Sequence, residues 1–162
     1  MKIATICILV KGDPVEEVLL GLKKEGFGQG KFVGFGGKIE NHETIKNAAI
    51  RELQEEASVV IAVRDLEHIA HLTFIFPARP EWDHRVYAFL VRTWYGTPLE
   101  SAEIKPRWFK IQKLPYDQMW ADGRHWLPRA LNGENIEATF IYNDDNHSLR
   151  EIRIGLRPDT ER

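Results

Sequence analysis

An α/β domain, a mixed β-sheet flanked by helices, is the fold class this sequence predicts, and three observations lead there. Strand-like apolar runs recur along the chain from residue 3 to residue 154. One amphipathic segment with helical periodicity, GKIENHETIKNAAIRELQEEASV (37–59), lies between those runs. Glycine and proline clusters punctuate the boundaries. Strands on both sides of a helix bury its apolar flank most simply by sharing one sheet beneath it. At 162 residues, 43% apolar and 28% charged, the chain suits one globular domain, expected over 1–155 with 156–162 as a frayed tail.

In order, 3–10 reads as a buried strand, 11–17 as a turn containing Pro14, and 18–22 as the returning strand. Lys23 and Lys24 lead into EGFGQGKFVGFGG, where Phe27, Phe32 and Phe35 interleave with glycines. Backbone that can approach a ligand closely, with rings beside it, suits a nucleotide-side wall. Beyond the helix, 59–63 and 69–76 are strand-like, Pro77 and Pro80 interrupt, and 78–84 reads as a surface loop. The run RVYAFLVRTW (85–94) is the clearest strand and is expected at the centre of the sheet. A loop at 96–102 carries Glu100, with Glu103 just after it, before extended structure at 107–111. A short helix over 126–131 and a hairpin of 136–142 with 149–154 around NDDNHS complete the chain.

Charge and cysteine usage narrow the function. With 22 basic against 24 acidic residues and a net charge of -2, the chain lacks the basic footprint of a nucleic-acid-polymer binder. A small anionic ligand bringing its own metal fits better. No apolar run reaches the roughly 18 residues of a membrane helix, and the N-terminus turns polar too soon for a signal peptide, so cytoplasmic residence is expected. Cys7, alone in an apolar run, reads as a buried strand residue, and the six scattered histidines show no zinc-site spacing. Oligomeric state is not legible.

The chemistry concentrates in 37–59. At about 100° per residue, Glu52 and Glu56 project nearly in line, Glu55 lies to one side, and Arg51 lies beyond it. Ala49, Ile50, Leu53 and Ala57 fall on the flank away from Arg51. Like charges at these spacings each cost an isolated helix about 0.2 to 0.5 kcal/mol. A hard cation such as Mg²⁺, with Mn²⁺ as substitute, offsets that repulsion while holding a substrate's phosphates. A plain solvated acidic face is the alternative, and Gly37, Glu43 and Arg51 at fixed spacing set this segment apart from it.

Gly37, Glu43, Arg51, Glu52, Leu53, Glu55, Glu56 and Val59 match in register the Nudix box, G-x5-E-x7-R-E-U-x-E-E-x-G-U. The chain therefore resembles the Nudix hydrolases, which implies an α/β/α sandwich. The departure is Ser58, where the family has a helix-ending glycine, so Ser58 must end the helix itself. The resemblance places Glu52, Glu55, Glu56 and Arg51 in the catalytic set, and puts the metal on Glu52 and Glu56 with a carbonyl of Gly36 or Gly37. Glu55 is a further ligand or the proton acceptor. Glu103 is the additional carboxylate from the opposite loop, with Glu100 in reserve. Glu43 is the structural brace, expected to pair with Arg51.

Further words, LLGLKKEGFGQG at 19–30, GFGGK at 34–38 and GTPLES at 96–101, together with Trp108, Phe109, Met119 and Trp120, are similar to one branch. That branch contains the MutT homologues acting on oxidised purine nucleoside triphosphates. The resemblance implies a base and sugar pocket at Thr5, Lys23, Phe27, Val33, Phe74, Trp120 and Asp122. Trp120 and Phe27 would stack on the base, Lys23 would serve phosphates or sugar, and Asp122 would contact the base or cap a turn. Val33 replaces that branch's base-bonding asparagine, and Gly123 replaces a second aspartate. The implied activity is Mg²⁺-dependent hydrolysis to nucleoside monophosphate and pyrophosphate, cleaning the nucleotide pool of species such as 8-oxo-dGTP, with a relaxed base preference. Hydrolysis of dinucleoside polyphosphates or capped RNA, and a non-catalytic nucleotide sensor, are the competing readings. The intact REXXEE row argues against the sensor.

Overall fold

In the computed structural model, which describes residues 1–158, the sheet is split at one end, and the split positions everything else. Strand β1 (Lys2–Lys11) pairs antiparallel with β2 (Glu17–Lys23) only over Leu9–Lys11 and Glu17–Leu19. Beyond Leu9 the two strands part, and segment 32–38 fills the gap. Its short strand β3 (Phe32–Val33) bonds β2 at Gly21 and Leu22, while Phe35 and Lys38 bridge to Cys7 and Ala4 of β1.

One helix covers this region. Helix α1 (Ile45–Ala57) starts at Thr44, whose hydroxyl accepts from the Asn47 N–H at 3.1 Å, and ends at Ser58 in the left-handed region at φ 58°. Ser58 thus performs the stop expected of it. Ala49, Leu53 and Ala57 pack on Cys7, Leu9, Phe89 and Ile104.

The remaining strands extend the sheet on the far side of β1. Strand β4 (Leu66–Ile75) pairs antiparallel with β5 (His84–Val91), which runs parallel to β1. Strand β6 (Ile104–Lys110) lies on the free side of β2. Helix α2 (Gly123–Leu131) covers the opposite face, where Trp126, Leu127 and Ala130 meet Ile8, Leu72, Val86 and Phe140. Strands β7 (Ile136–Tyr142) and β8 (Leu149–Leu156) form the closing hairpin, β7 parallel to β4. The sheet order β3-β2-β1-β5-β4-β7-β8, with β6 on β2 and one helix on each face, is the α/β/α sandwich expected, and β5 is central.

Several boundaries differ from expectation. No strand forms at 59–63, because Val60 meets only Tyr95 in one bridge, and Asp65 turns the chain by accepting from the Ala62 N–H at 2.8 Å. Strand β5 stops at Val91, so Trp94 leaves the sheet and stacks on Trp108. His84, assigned to a surface loop, is instead the first residue of β5, paired with Phe74. The tail expected to fray from residue 156 begins in order: Leu156 pairs with Ile136, and the Arg157 N–H donates to the Asn135 carbonyl at 2.8 Å. The rest of that tail, 159–162, lies outside the described residues.

Candidate active site

Helix α1 presents its carboxylates where the sheet divides. Glu56 is 4% exposed, and its Oε1 accepts from the Gly36 N–H at 2.7 Å. Burial, then the neighbouring charge of Glu52, pushes the Glu56 carboxyl up to about 7. Burial also raises Glu52, against the opposing influence of Arg51.

Arg51 organises the exposed side of the row. It grips Glu43 with two bonds and donates to Glu52 Oε1 at 2.9 Å, Glu55 Oε2 at 3.3 Å and the Lys38 carbonyl at 3.3 Å. The expected brace between Glu43 and Arg51 is present. Those bonds hold Glu43 down at about 2 and raise Arg51 above its ordinary value. Glu55 remains open to solvent at 59%.

The two glycines of the turn are forced by close approach. A Cβ on Gly36 would lie 1.7 Å from the Thr5 carbonyl oxygen, and one on Gly37 would lie 2.6 Å from Glu52 Oε1. The Gly37 carbonyl already accepts from the Thr5 N–H at 2.9 Å.

Opposite α1, Glu103 is exposed but close enough to raise both Glu52 and Glu56, and its carbonyl accepts from the Lys24 N–H. The reserve residue Glu100 is taken by an ion pair with Lys24. Among the described residues no three His, Cys, Asp or Glu side chains are gathered closely enough to hold an ion. Arg51 and Gly36 instead hold Glu52 and Glu56 individually. The donor set nevertheless fits a hard divalent cation, since it is wholly oxygen and its two most buried members resist ionisation together.

A cavity of about 470 Å³ runs alongside. Glu56, Gly36 and Gly37 line it, and so does every residue assigned to the base and sugar pocket: Thr5, Lys23, Phe27, Val33, Phe74, Trp120 and Asp122. Thr5 is fully buried, and among the described residues its hydroxyl has no hydrogen-bond partner. Lys23 stands near enough to Glu56 to lower its pKa, which puts its charge on the carboxylate side. Phe27 and Trp120, expected as platforms, stack on each other at 4.9 Å with 22° between planes.

Asp122 does not cap a turn with its side chain. It is 6% exposed, and its carboxylate accepts from the Tyr142 hydroxyl at 2.7 Å and the Trp126 indole N–H at 2.9 Å. Burial raises Asp122 while these two donors oppose the rise. Sequence reasoning missed Tyr142, Trp126, Phe76 and His84, which line the same cavity. The i, i+4 spacing of Asp122 and Trp126 on one helical turn was the available signal; Tyr142 offered none. Cys7, with its thiol pushed up to about 12 by burial, is no nucleophile.

With the carboxylate helix, the glycine turn and the cavity in place, comparison with known proteins supplies the class. The NUDIX domain profile matches residues 1–130, and the chain belongs to the Nudix hydrolase family, enzymes that use divalent metal ions on small nucleotide substrates. It is 38% identical over 141 residues to the mouse oxidized purine nucleoside triphosphate hydrolase, covering 85% of this chain and 88% of that protein. It is 39% identical over 155 residues to the zebrafish (Danio rerio) protein of the same name, covering 93% and 96%. Among solved structures, the MutT protein of Bacillus halodurans superposes with a TM-score of 0.78 at 24% identity, covering 98% of this chain and all of that one, a likeness of fold. No helix among the described residues is long and apolar enough to cross a membrane.

Proposed function

We propose that this chain is a Mg²⁺-dependent nucleoside triphosphate pyrophosphohydrolase. It would release nucleoside monophosphate and pyrophosphate from oxidised purine nucleotides such as 8-oxo-dGTP, with a wider or shifted base preference. One observation carries the reading: a single cavity is lined both by Glu56 and the Gly36–Gly37 turn and by the aromatic and polar residues Phe27, Phe74, Trp120 and Asp122. The names of the mouse and zebrafish relatives support the substrate class.

Glu52, Glu56 and the Gly36 carbonyl would hold the metal, with Glu55 and Glu103 completing its surroundings. A bound divalent ion supplies a water of lowered pKa and neutralises phosphate charge. Glu56 would hold the ion as a carboxylate, against the burial and the Glu52 charge that raise its carboxyl in the metal-free protein. Glu55, the most open of the row, would accept the proton of the attacking water. Lys23 binds the phosphate chain beside Glu56, and Arg51 keeps Glu52 and Glu55 aligned without touching substrate. The Thr5 hydroxyl offers a hydrogen bond to the base or sugar. Val33, lacking donor and acceptor, and Gly123 relax discrimination among purines. The single domain acts in the cytoplasm, on the nucleotide pool.

The test is pyrophosphate release with Mg²⁺ or Mn²⁺ from 8-oxo-dGTP, 2-hydroxy-dATP, dGTP and dATP, with the products identified. Release abolished by Glu56→Gln in a folded protein is the expected result. Inertness towards all four nucleotides sinks the proposal, and an overwhelming preference for 8-oxo-dGTP removes the relaxed pocket.

A further inference from the structure

His84 enters the cavity from the start of β5, on the side of Asp122. Its ring stacks on Phe74 at 5.0 Å with 27° between planes, which holds its plane. Its Nδ1 lies 2.7 Å from the Trp82 carbonyl oxygen. A carbonyl can only accept, so Nδ1 carries the proton. Burial lowers the imidazole's pKa, against the Trp82 carbonyl and Asp122, and so favours the neutral ring. Nε2 is then an acceptor, and among the described residues it has no hydrogen-bond partner. An oriented ring with one nitrogen committed and the other offered to a cavity is arranged to read a ligand.

The surrounding chemistry says which edge it reads. Asp122 accepts two bonds from Tyr142 and Trp126, and its remaining lone pairs also accept. The wall at Val33 offers no polar side-chain group. Two acceptors on one side, without a side-chain donor at Val33, match a base edge made of N–H donors. A guanine-type base presents an exocyclic amino group beside a ring N–H; hypoxanthine lacks the amino group.

Building on the hydrolase reading above, we propose that His84 is a specificity-determining residue whose Nε2 accepts a hydrogen bond from the exocyclic amino group of a guanine-type base, with Asp122 as second acceptor. It takes over polar recognition that Val33 cannot provide.

The experiment compares kcat/KM for dGTP and dITP in the wild type, His84→Phe and His84→Gln. Phenylalanine keeps the stacking surface and removes the acceptor, while glutamine restores an acceptor near the position of Nε2. The wild type should favour dGTP. His84→Phe should lower the dGTP-to-dITP ratio about tenfold, the size expected for one lost hydrogen bond in a buried site, and His84→Gln should keep most of it. A parallel fall on both nucleotides, an unchanged ratio in His84→Phe, or a wild type indifferent to the amino group overturns the proposal. The ¹⁵N shift of His84 Nε2 in the wild type gives a second readout that needs no variant and no turnover. It should move on adding GMP and stay put with IMP, and equal responses overturn the assignment. Absence of pyrophosphate release from any nucleotide would count against the hydrolase reading alone, because the binding shift is read independently.

Discussion

Arg51 holds Glu43 through two near-parallel bonds, Nε to Oε2 at 2.7 Å and Nη2 to Oε1 at 2.9 Å, and the same guanidinium reaches Glu52 at 2.9 Å. Glu43 lies in the loop before α1, and Glu52 is in the middle of the helix. The geometry makes Glu43 a positioning residue for Glu52, acting through Arg51. Glu43→Gln keeps the shape but weakens the charge-assisted fork. We expect kcat to fall roughly 10- to 100-fold, the usual loss when an outer partner of a metal-binding group is removed, with KM for the nucleotide little changed. A Mg²⁺ titration of activity checks it: the half-saturating metal concentration should rise. If KM moves instead, Glu43 touches substrate.

Glu56 predicts a pH dependence of stability in the metal-free protein. Its folded pKa, about 7, lies above the 4.5 of a free carboxyl. Below pH 4.5 the group is protonated in both states and costs nothing. Between 4.5 and 7 the folded state binds the extra proton, so stability falls as pH rises through this window and stays lower above it. The full loss is on the order of 3 kcal/mol. Burial raises Glu52 in the same direction. Glu43, held at about 2, has the opposite slope, but only below pH 4.5. Thermal unfolding in EDTA from pH 5 to 8 should therefore show Glu56→Gln gaining on the wild type as pH rises. Equal slopes in the two proteins would contradict the buried-carboxylate account.

The stack of Phe27 on Trp120 occupies the face on which a base is expected to lie. Phe27 is 44% exposed and is flanked by Gly26 and Gly28, both at positive φ. Phe27 also meets Phe76, Trp82 and His84 edge-on, but its exposure and its glycine neighbours make it the ring able to yield, while Trp120 packs edge-on against Phe76 and Tyr142. Base stacking on an aromatic platform contributes about 1 to 3 kcal/mol. Trp120→Leu should raise KM by tenfold or more, and Phe27→Leu should raise it less. Steady-state kinetics on one purine triphosphate suffices, and the reverse order would assign the platform to Phe27.

The carboxylate row, its brace and the glycine turn were legible because a helix maps spacing onto direction, and because Gly36 and Gly37 sit where a Cβ would strike Thr5 or Glu52. The central strand was legible from continuous apolar character, as strands buried on both faces require. Contacts across distant elements were not. Tyr142 and Asp122 are 20 residues apart and meet only through the packing of α2 on β7. The run at 59–63 alternates like a strand, with Val59 and Ile61 buried and Val60 exposed, yet its pairing with 94–95 stops at a single bridge. His84 looked like loop because of the prolines before it, and only the register of β4 on β5 sets it against Phe74.

Asp122, Tyr142 and Trp126 give an ordered pair of stability effects. Tyr142→Phe removes one donor from a buried carboxylate that keeps its second donor in Trp126. Asp122→Ala removes the acceptor from two buried donors at once and leaves a void. With each unsatisfied buried group costing about 1 to 3 kcal/mol, Asp122→Ala should destabilise by roughly twice as much as Tyr142→Phe. Urea unfolding at pH 7 measures both, and a larger loss for Tyr142→Phe would show that the carboxylate, not its donors, is the costly partner.

Ser58 closes α1 with φ 58° and ψ 31°, donating its N–H to the Gln54 carbonyl at 3.0 Å. A residue with a Cβ pays roughly 1 kcal/mol for this left-handed conformation, and glycine does not. Glycine also has more freedom to lose from the unfolded chain, which offsets part of the gain. Ser58→Gly should therefore stabilise by about 0.5 to 1 kcal/mol, and Ser58→Val should destabilise by more than that, since branching at Cβ is least compatible with positive φ. Because Ser58 lies past the last carboxylate, Glu56, neither change should alter kcat/KM by more than about twofold while the protein is folded. Thermal denaturation beside an activity assay separates the two readouts. A Ser58→Gly protein that gained stability but lost activity would mean that the rigid end of α1 helps to aim Glu55 and Glu56, and that the cap belongs to the active site.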